Sequence, residues 1–249
     1  MNSFRLMAAL CLALAAKCAH AGQVQVAVAS NFTEPMRELA ASFEQKTGHK
    51  VLLSSGATGK LYAQIVHGAP FEVLLAADQR APKRLESDQL AIVGSRFTYA
   101  IGKLVLWSAQ PGYVDDEGVV LQRGEFRHLA MASPKAAPYG AAAMQVLAGM
   151  GLAERFRGRI VMGENITQTY QFVASENAEL GFVALAQVLN NGTPARGSVW
   201  HIPVERHDPI RQDAVLLARG EANPAAHALL EYLRSDEVAD IVRRFGYTR

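Results

Sequence analysis

Four polar turns, each preceded by an apolar stretch and followed by a helical pattern, constrain this sequence most strongly. In the first, an apolar stretch ends at Ser30 and a helical pattern begins near Pro35. Four apolar residues then recur at the spacing of one helical face: Met36, Leu39, Ala40 and Phe43. Because the first N–H groups of a helix lack partners within the helix, such a turn is suited to bind an anion.

The same order of strand, polar turn and helix recurs at residues 57–59, 138–140 and 165–167. This alternation predicts an α/β fold with parallel strands and helices on both faces of the sheet. In open parallel sheets, turns of this kind gather at the carboxyl edge, where ligands bind. Two turns lie in each half of the chain, so we predict a ligand site in a cleft between two lobes.

An extended segment at residues 99–108 is a candidate crossover between the lobes. Residues 199–203 and 212–218 are predicted to be strands that return to the first lobe. The predicted boundaries assign the chain to two lobes: lobe 1 from residues 22–102 and 203–249, and lobe 2 from residues 103–202.

Residues 1–21 have the pattern of a cleavable signal peptide. Arg5 precedes an apolar run too short to span a bilayer well, and residues 19–21 form an A-x-A cleavage site. A buried N-terminal helix and lipidation at Cys18 are the alternatives, although Lys17 is a poor fit to a lipidation site. Cleavage removes both cysteines, so the mature chain has neither a disulfide nor a thiol nucleophile.

Cleavage also removes two basic residues and no acidic ones, so the 25 basic residues fall to match the 23 acidic residues. A formally neutral chain argues against nucleic acid or an anionic membrane surface as a partner. Beyond the signal there is no long apolar run, so we predict no insertion into a membrane.

The sequence offers little for catalysis. None of its seven histidines stands at metal-binding spacing, and it has no G-x-S-x-G motif. The Gly-rich segment 56–60 does not satisfy the phosphate-loop pattern, and Asp78 is better explained as a helix cap than as a base. We therefore predict no catalytic residue, no direct metal ligand and no cofactor.

The four turns instead supply neutral donors. Ser30, Thr58 and Tyr139 carry hydroxyls, and no Arg or Lys lies in the core of any turn, although Lys60 and Lys135 are close. Several neutral donors can hold a desolvated dianion reversibly, without a strong ion pair. For any single turn, ordinary helix capping is the alternative explanation.

Taken together, five segments resemble the periplasmic molybdate-binding proteins, which are the substrate-binding components of molybdate ABC importers. The segments, in the family's order, are VAVASNFTEPMRELAASFEQKTG, SSGATGKLYAQIVHGAPFEVLLAAD, ASPKAAPYG, ENITQTYQFVASENAELGFVA and SDEVADIVRRFGY. GAPFEVLLAAD matches the family pattern G-A-P-x-D-[VL]-[FL]-x-[SA]-A-D, except that Glu72 replaces the usual Asp.

The resemblance implies a periplasmic-binding-protein-like fold of class II, with two α/β lobes joined by two crossover strands. It also implies a molybdate site between the lobes, made by five residues: Ser30, Asn31, Thr58, Tyr139 and Ile166. Ser30 and Thr58 would donate through hydroxyl and backbone, and Ile166 through its backbone N–H. Some members use a Tyr at the position of Ala184, and we infer that Tyr139 takes its place here.

The expected function is therefore a periplasmic receptor that closes around molybdate, or tungstate, and does no chemistry. Its expected partner is an inner-membrane ABC permease, and its expected state is a monomer. A receptor for another oxyanion or a small acid is the alternative within this class. A periplasmic hydrolase or sensor domain is the alternative outside it, disfavoured by the missing nucleophile–base pair.

Overall fold

The computed structural model describes residues 21–190, 193–194 and 196–249. The predicted signal peptide, residues 1–21, lies outside the described residues except for Ala21. In chain order the strands are β1 Gln23–Ala29, β2 Lys50–Gly56, β3 Val73–Leu75, β4 Phe97–Gly102, β5 Leu104–Ser108, β6 Leu129–Ala132, β7 Ile160–Gly163, β8 Leu180–Ala184, β9 Leu189–Asn190, β10 Thr193–Pro194, β11 Ser198–His201 and β12 Ile210–Leu216. The α-helices are α1 Thr33–Thr47, α2 Thr58–Val66, α3 Arg80–Ser87, α4 Val119–Arg123, α5 Pro138–Gly149, α6 Ala153–Phe156, α7 Ile166–Ala174, α8 Leu185–Val188, α9 Pro224–Arg234 and α10 Asp236–Arg244.

Two five-stranded sheets organise the chain, which confirms the predicted α/β class. The first sheet has the order β2-β1-β3-β12-β4, and the second has the order β11-β5-β8-β6-β7. Strands β1, β2 and β3 are parallel, as are β6, β7 and β8. Both sheets are mixed, because β12 is antiparallel to β3 and β4, while β5 is antiparallel to β8 and β11.

Alternating side chains on the strands build a separate core on each face of a sheet. On β1, Val24, Val26 and Val28 pack with α1, α9 and α10, whereas Ala27 faces the cluster formed by α2 and α3. On β5, Leu104 and Leu106 face α5, and the alternate residues face α7. The predicted apolar face of α1 is confirmed, since Met36, Leu39, Ala40 and Phe43 are all buried.

One detail of the predicted elements was wrong. The predicted return strand at residues 199–203 does not reach the first sheet, since β11 pairs antiparallel with β5 at the edge of the second. An apolar run predicts that a segment is buried but does not identify its partner strand, which explains the difference. Of the apolar run at residues 71–78, only Val73–Leu75 is a strand, because its end forms the turn into α3. The prediction that residues 212–218 return to the first sheet holds, since β12 lies there.

The chain crosses between the sheets after Gly102, where β4 ends and only Lys103 separates it from β5. A Cβ at this position would overlap the hydroxyl of Tyr139 and lie 2.6 Å from Nε2 of Gln212. Gln212 is on β12, which pairs with β4 in the same sheet. Movement of the second lobe would therefore relieve only part of this overlap, and the crossover requires glycine.

We expect Gly102→Ala to lower the free energy of unfolding by about 1–3 kcal/mol, as overpacking does in a filled core. Gly149→Ala is the matched control, because it lies in α5 with no neighbouring atom within 4 Å of the added Cβ. That substitution should stabilise by about 0.4–1 kcal/mol by restricting the unfolded chain. Urea denaturation of both variants gives the test, and equal stability of Gly102→Ala and wild type would contradict it.

Candidate functional site

The four predicted turns all follow the carboxyl ends of parallel strands. Ser30 follows β1 in a 3-10 turn, Ser30–Phe32, and Thr58 follows β2 as the first residue of α2. Tyr139 lies in the first turn of α5 beyond β6, and Ile166 begins α7 beyond β7. Each turn is therefore a helix start that points its free N–H groups away from its own sheet.

The structure brings these turns together around one small cavity. Eleven residues line it: Ala29, Ser30, Asn31, Gly56, Ala57, Thr58, Ala77, Ala137, Pro138, Tyr139 and Ile166. All five residues predicted to bind the ligand are among them, and none of the eleven has a charged side chain. The cavity has about 10 Å³ of space for the centres of water-sized spheres, which is room for about one water, so it can admit only a small ligand.

The hydroxyls of Ser30 and Thr58 remain able to donate. Oγ1 of Thr58 accepts from the backbone N–H of Ala77 at 2.9 Å, so its own proton is free for another acceptor. The side chain of Ser30 has no hydrogen-bond partner among the described residues, while its carbonyl accepts from Thr33 and Thr167. Both residues are nearly fully buried, so these protons point into a space with little access to bulk water.

Tyr139 is oriented by a contact from the other lobe. Its hydroxyl accepts a hydrogen bond from Nε2 of Gln212 at 3.3 Å and lies beside the hydroxyl of Tyr247. Burial raises the pKa of Tyr139 well above its ordinary value, with the neighbouring hydroxyl of Tyr247 adding to the effect. The phenol therefore stays protonated at neutral pH.

The backbone supplies the remaining donors. Asn165 caps α7 through its side chain, which accepts from the N–H of Gln168 at 3.0 Å. The cap therefore does not use the N–H of Ile166. The N–H groups of Thr58 and Tyr139 likewise have no backbone partner among the described residues. The N-terminal ends of helices from both lobes carry partial positive charge toward the same cavity.

Asn31 makes contacts that the sequence did not indicate. Its amide nitrogen donates to Oε1 of Gln212 at 2.9 Å and to the hydroxyl of Tyr247 at 3.0 Å. Both amide protons are thereby used, so only the backbone N–H of Asn31 can face a ligand. Gln212 and Tyr247 were missed, although Tyr247 lies within the closing segment of the family resemblance.

Charged groups lie outside the cavity. Lys60 forms an ion pair with Glu164 across the lobes at 2.7 Å, and this lowers the pKa of the Glu164 carboxyl. A wider part of the cleft, about 330 Å³, contacts Arg80, Arg84 and Lys135. Asp78 lines it too; burial raises the pKa of its carboxyl, which accepts from the N–H of Ala81 as a helix cap.

Direct contacts hold the two lobes together around the cavity. The N–H of Gly59 donates to the carbonyl of Ala136 at 2.9 Å, and a Cβ on Gly59 would be only 3.1 Å from that backbone. On the opposite side, Oγ1 of Thr167 donates to the carbonyl of Ser30 at 3.1 Å. One apolar cluster includes residues of both lobes, among them Ala29, Ala57, Ala132 and Ile166.

Across residues 21–190, 193–194 and 196–249, no three His, Cys, Asp or Glu side chains are grouped so that they could hold a metal ion. No helix in these ranges is long and apolar enough to cross a bilayer.

The chain matches the family model described as bacterial extracellular solute-binding protein over residues 24–248. It is 55% identical over 243 residues to the molybdate-binding protein ModA of Azotobacter vinelandii, covering 98% of this chain and 96% of the relative. The protein of the same name from Rhodobacter capsulatus is 48% identical over 239 residues, covering 96% and 93%. The solved structure of an Azotobacter vinelandii periplasmic molybdate-binding protein has a TM-score of 0.88 and 41% identity, covering 91% of this chain and 99% of that one.

Thr58→Val should destabilise the fold by about 1–3 kcal/mol, because it leaves the buried N–H of Ala77 without its acceptor. The matched control is Thr248→Val, the same substitution at an exposed residue whose hydroxyl has no partner among the described residues. The control should stay within about 0.5 kcal/mol of wild type. Urea titrations of the two variants measure the difference, and equal costs would show that the hydroxyl of Thr58 is not an acceptor.

Proposed function

This protein belongs to the bacterial extracellular solute-binding protein family, and we propose that within it the chain is the molybdate-binding component of an ABC importer. The family model covers residues 24–248, and the relatives named for molybdate align over nearly the whole chain. The resemblance found in the sequence is thereby confirmed, as is the two-lobed α/β fold of periplasmic binding proteins.

One observation carries the assignment of an oxyanion. Helix starts from both lobes meet at a buried cavity whose lining contains donors and no charged side chain. A buried anion must have its oxygen lone pairs satisfied by hydrogen bonds, or its desolvation is not offset. We propose that Ser30 and Thr58 donate through hydroxyl and backbone, Tyr139 through its phenol, and Asn31 and Ile166 through their N–H groups.

A cage of N–H and O–H groups without a carboxylate favours an oxyanion that has no proton of its own. The O–H of hydrogen phosphate would compete for hydroxyl oxygens, and the cavity lining has no carboxylate to accept it. Sulfate carries no proton but is smaller than molybdate, so its hydrogen bonds in the same cage would be longer. Tungstate matches molybdate in charge and shape, and we propose that it binds as well.

We further propose that residues 22–102 and 203–249 move as one lobe and residues 103–202 as the other. The separate sheets and the single-residue break at Lys103, between β4 and β5, support this division. In this scheme the mature protein acts as a monomer in the periplasm, after removal of residues 1–21. It performs no reaction on the anion and delivers it to an inner-membrane permease.

The alternative is a receptor for another oxyanion or a small organic acid. The wider cleft beside the cavity would have room for such an acid, and the guanidinium groups of Arg80 and Arg84 could meet its carboxylate. Binding of a carboxylate in preference to molybdate would favour this alternative, so both belong in one experiment.

Molybdate at about 1,000 times its Kd should stabilise the protein by roughly 4 kcal/mol. For a chain of this size, that corresponds to a rise in Tm on the order of 10 °C. Thermal unfolding at equal concentrations of molybdate, tungstate, sulfate, phosphate and citrate tests the proposal. The first two should shift Tm and the others should not. A shift with sulfate or citrate as large as that with molybdate would contradict the assigned ligand.

Tyr139→Phe should weaken molybdate binding by roughly ten- to a hundredfold, the cost of one hydrogen bond to a charged partner, about 1.5–3 kcal/mol. Tyr113→Phe is the control in the same lobe, since its hydroxyl lies at the surface and donates to the carbonyl of Glu125. Titration calorimetry should give the control an unchanged Kd. If Tyr139→Phe also kept the wild-type Kd, its phenol would serve packing and not the anion.

A further inference from the structure

Behind the anion cavity lies a continuous network of buried polar side chains. Its five members join the first lobe, the second lobe and the C-terminal segment: Asn31, Tyr99, Tyr139, Gln212 and Tyr247. All five are at most 4% exposed, so water has little access to them. Buried polar groups persist only when hydrogen-bonded, so each member depends on the others.

Tyr247 makes the closest contacts to the anion-binding turn. Its hydroxyl donates to the carbonyl of Asn31 at 2.8 Å and accepts from the amide of Asn31 at 3.0 Å. One side-chain atom thus fixes both the backbone and the side chain of the residue beside Ser30. The hydroxyl also neighbours that of Tyr139, and their contact affects the pKa values of both phenols. Tyr247 therefore touches one predicted donor from each lobe.

The position of Tyr247 is itself set by β4, the strand that leads into the crossover. The next residue, Thr248, exchanges two backbone hydrogen bonds with Ile101, at 2.7 and 3.1 Å. Ile101 directly precedes the crossover glycine, Gly102. The ring of Tyr247 packs edge-on against Phe32, with centroids 5.3 Å apart. The C-terminal segment thus contacts both β4 and the 3-10 turn Ser30–Phe32.

We propose that Tyr247 is a positioning residue for the anion, one that holds the turn Ser30–Phe32 in its binding geometry through Asn31. The inference rests on the proposed function, because it concerns the same site. Tyr247 is not among the residues that line the cavity, so it acts through Asn31 and not on the ligand. Without its hydroxyl, the carbonyl of Asn31 and one amide proton lose their partners, and the turn can rotate to find others. The N–H groups of Ser30 and Asn31 then turn away from the anion.

The proposal predicts that loss of the Tyr247 hydroxyl changes the dissociation rate of the molybdate complex more than its association rate. The turn is buried and does not line the wider cleft, through which an anion would enter. A loosened turn should therefore shorten the lifetime of the complex and leave the association rate nearly unchanged. A purely structural tyrosine would lower the free energy of unfolding without changing either rate.

Tyr247→Phe tests this, because phenylalanine keeps the ring contact with Phe32 and removes only the hydroxyl. Tyr232→Phe is the matched control in the same lobe: its hydroxyl donates to Glu237 at the surface, at 3.4 Å. Full-length mature protein is titrated with sodium molybdate by calorimetry, and dissociation is followed by stopped-flow fluorescence. The calorimetric stoichiometry reports the folded fraction, so partial unfolding would lower the stoichiometry without mimicking a change in Kd.

For Tyr247→Phe we expect a Kd weakened roughly five- to tenfold, with a matching rise in the dissociation rate. Tyr232→Phe should bind as wild type does. A wild-type Kd in Tyr247→Phe, whether or not its stability falls, would overturn the positioning role alone. Failure of the wild-type protein to bind molybdate would overturn the proposed function and this inference together.

Discussion

The proposed molybdate site depends on one constraint. A dianion that is buried without a charged side chain needs every available hydrogen-bond donor to converge on it. Transfer of an ion out of water is costly, and only well-placed hydrogen bonds offset that cost. Helix starts meet the need because their first N–H groups have no other partner. The strands β1, β2, β6 and β7 all end at the same cavity, and each delivers one such start.

Convergence requires the two lobes to approach closely, and small residues at their contact permit this. Gly59 brings its N–H to the carbonyl of Ala136, and Ala29, Ala57 and Ala132 form part of an apolar cluster shared by both lobes. The same closeness holds at the crossover, where Gly102 leaves room for Tyr139 and Gln212. Packing at the crossover and donor geometry at the cavity are therefore linked through Tyr139 and Gln212.

The charged side chains lie outside the cavity, and the need to bind the anion reversibly explains this placement. An ion pair with a buried lysine or arginine would bind an oxyanion strongly but would impose its own desolvation cost whenever the site released its ligand. Here Lys60 is paired with Glu164, and Arg80, Arg84 and Lys135 line the wider cleft. Dipoles and hydroxyls inside the cavity give short-range attraction, and the full charges remain where water screens them.

Local patterns in the sequence determined the α/β alternation, the buried face of α1 and the position of all four turns. These features depend on periodicity and on turn chemistry within a few residues, so the sequence alone contains them. The meeting of the turns was predictable in part, since parallel strands of one sheet end at a common edge and two turns lie in each half of the chain. The particular residues Ser30, Asn31, Thr58, Tyr139 and Ile166 came from the family resemblance, and all five line the cavity.

Only the tertiary structure decided which strands pair and which groups lie behind the site. β11 joins the second sheet, and β12 enters the first sheet antiparallel, because strand partners are chosen by contacts that no local pattern records. The partners of Asn31 are the clearest case: Gln212 is 181 positions away and Tyr247 is 216 positions away. Their hydrogen bonds exist only once both lobes and the C-terminal segment have packed, so the orientation of Asn31 is a property of the assembled fold.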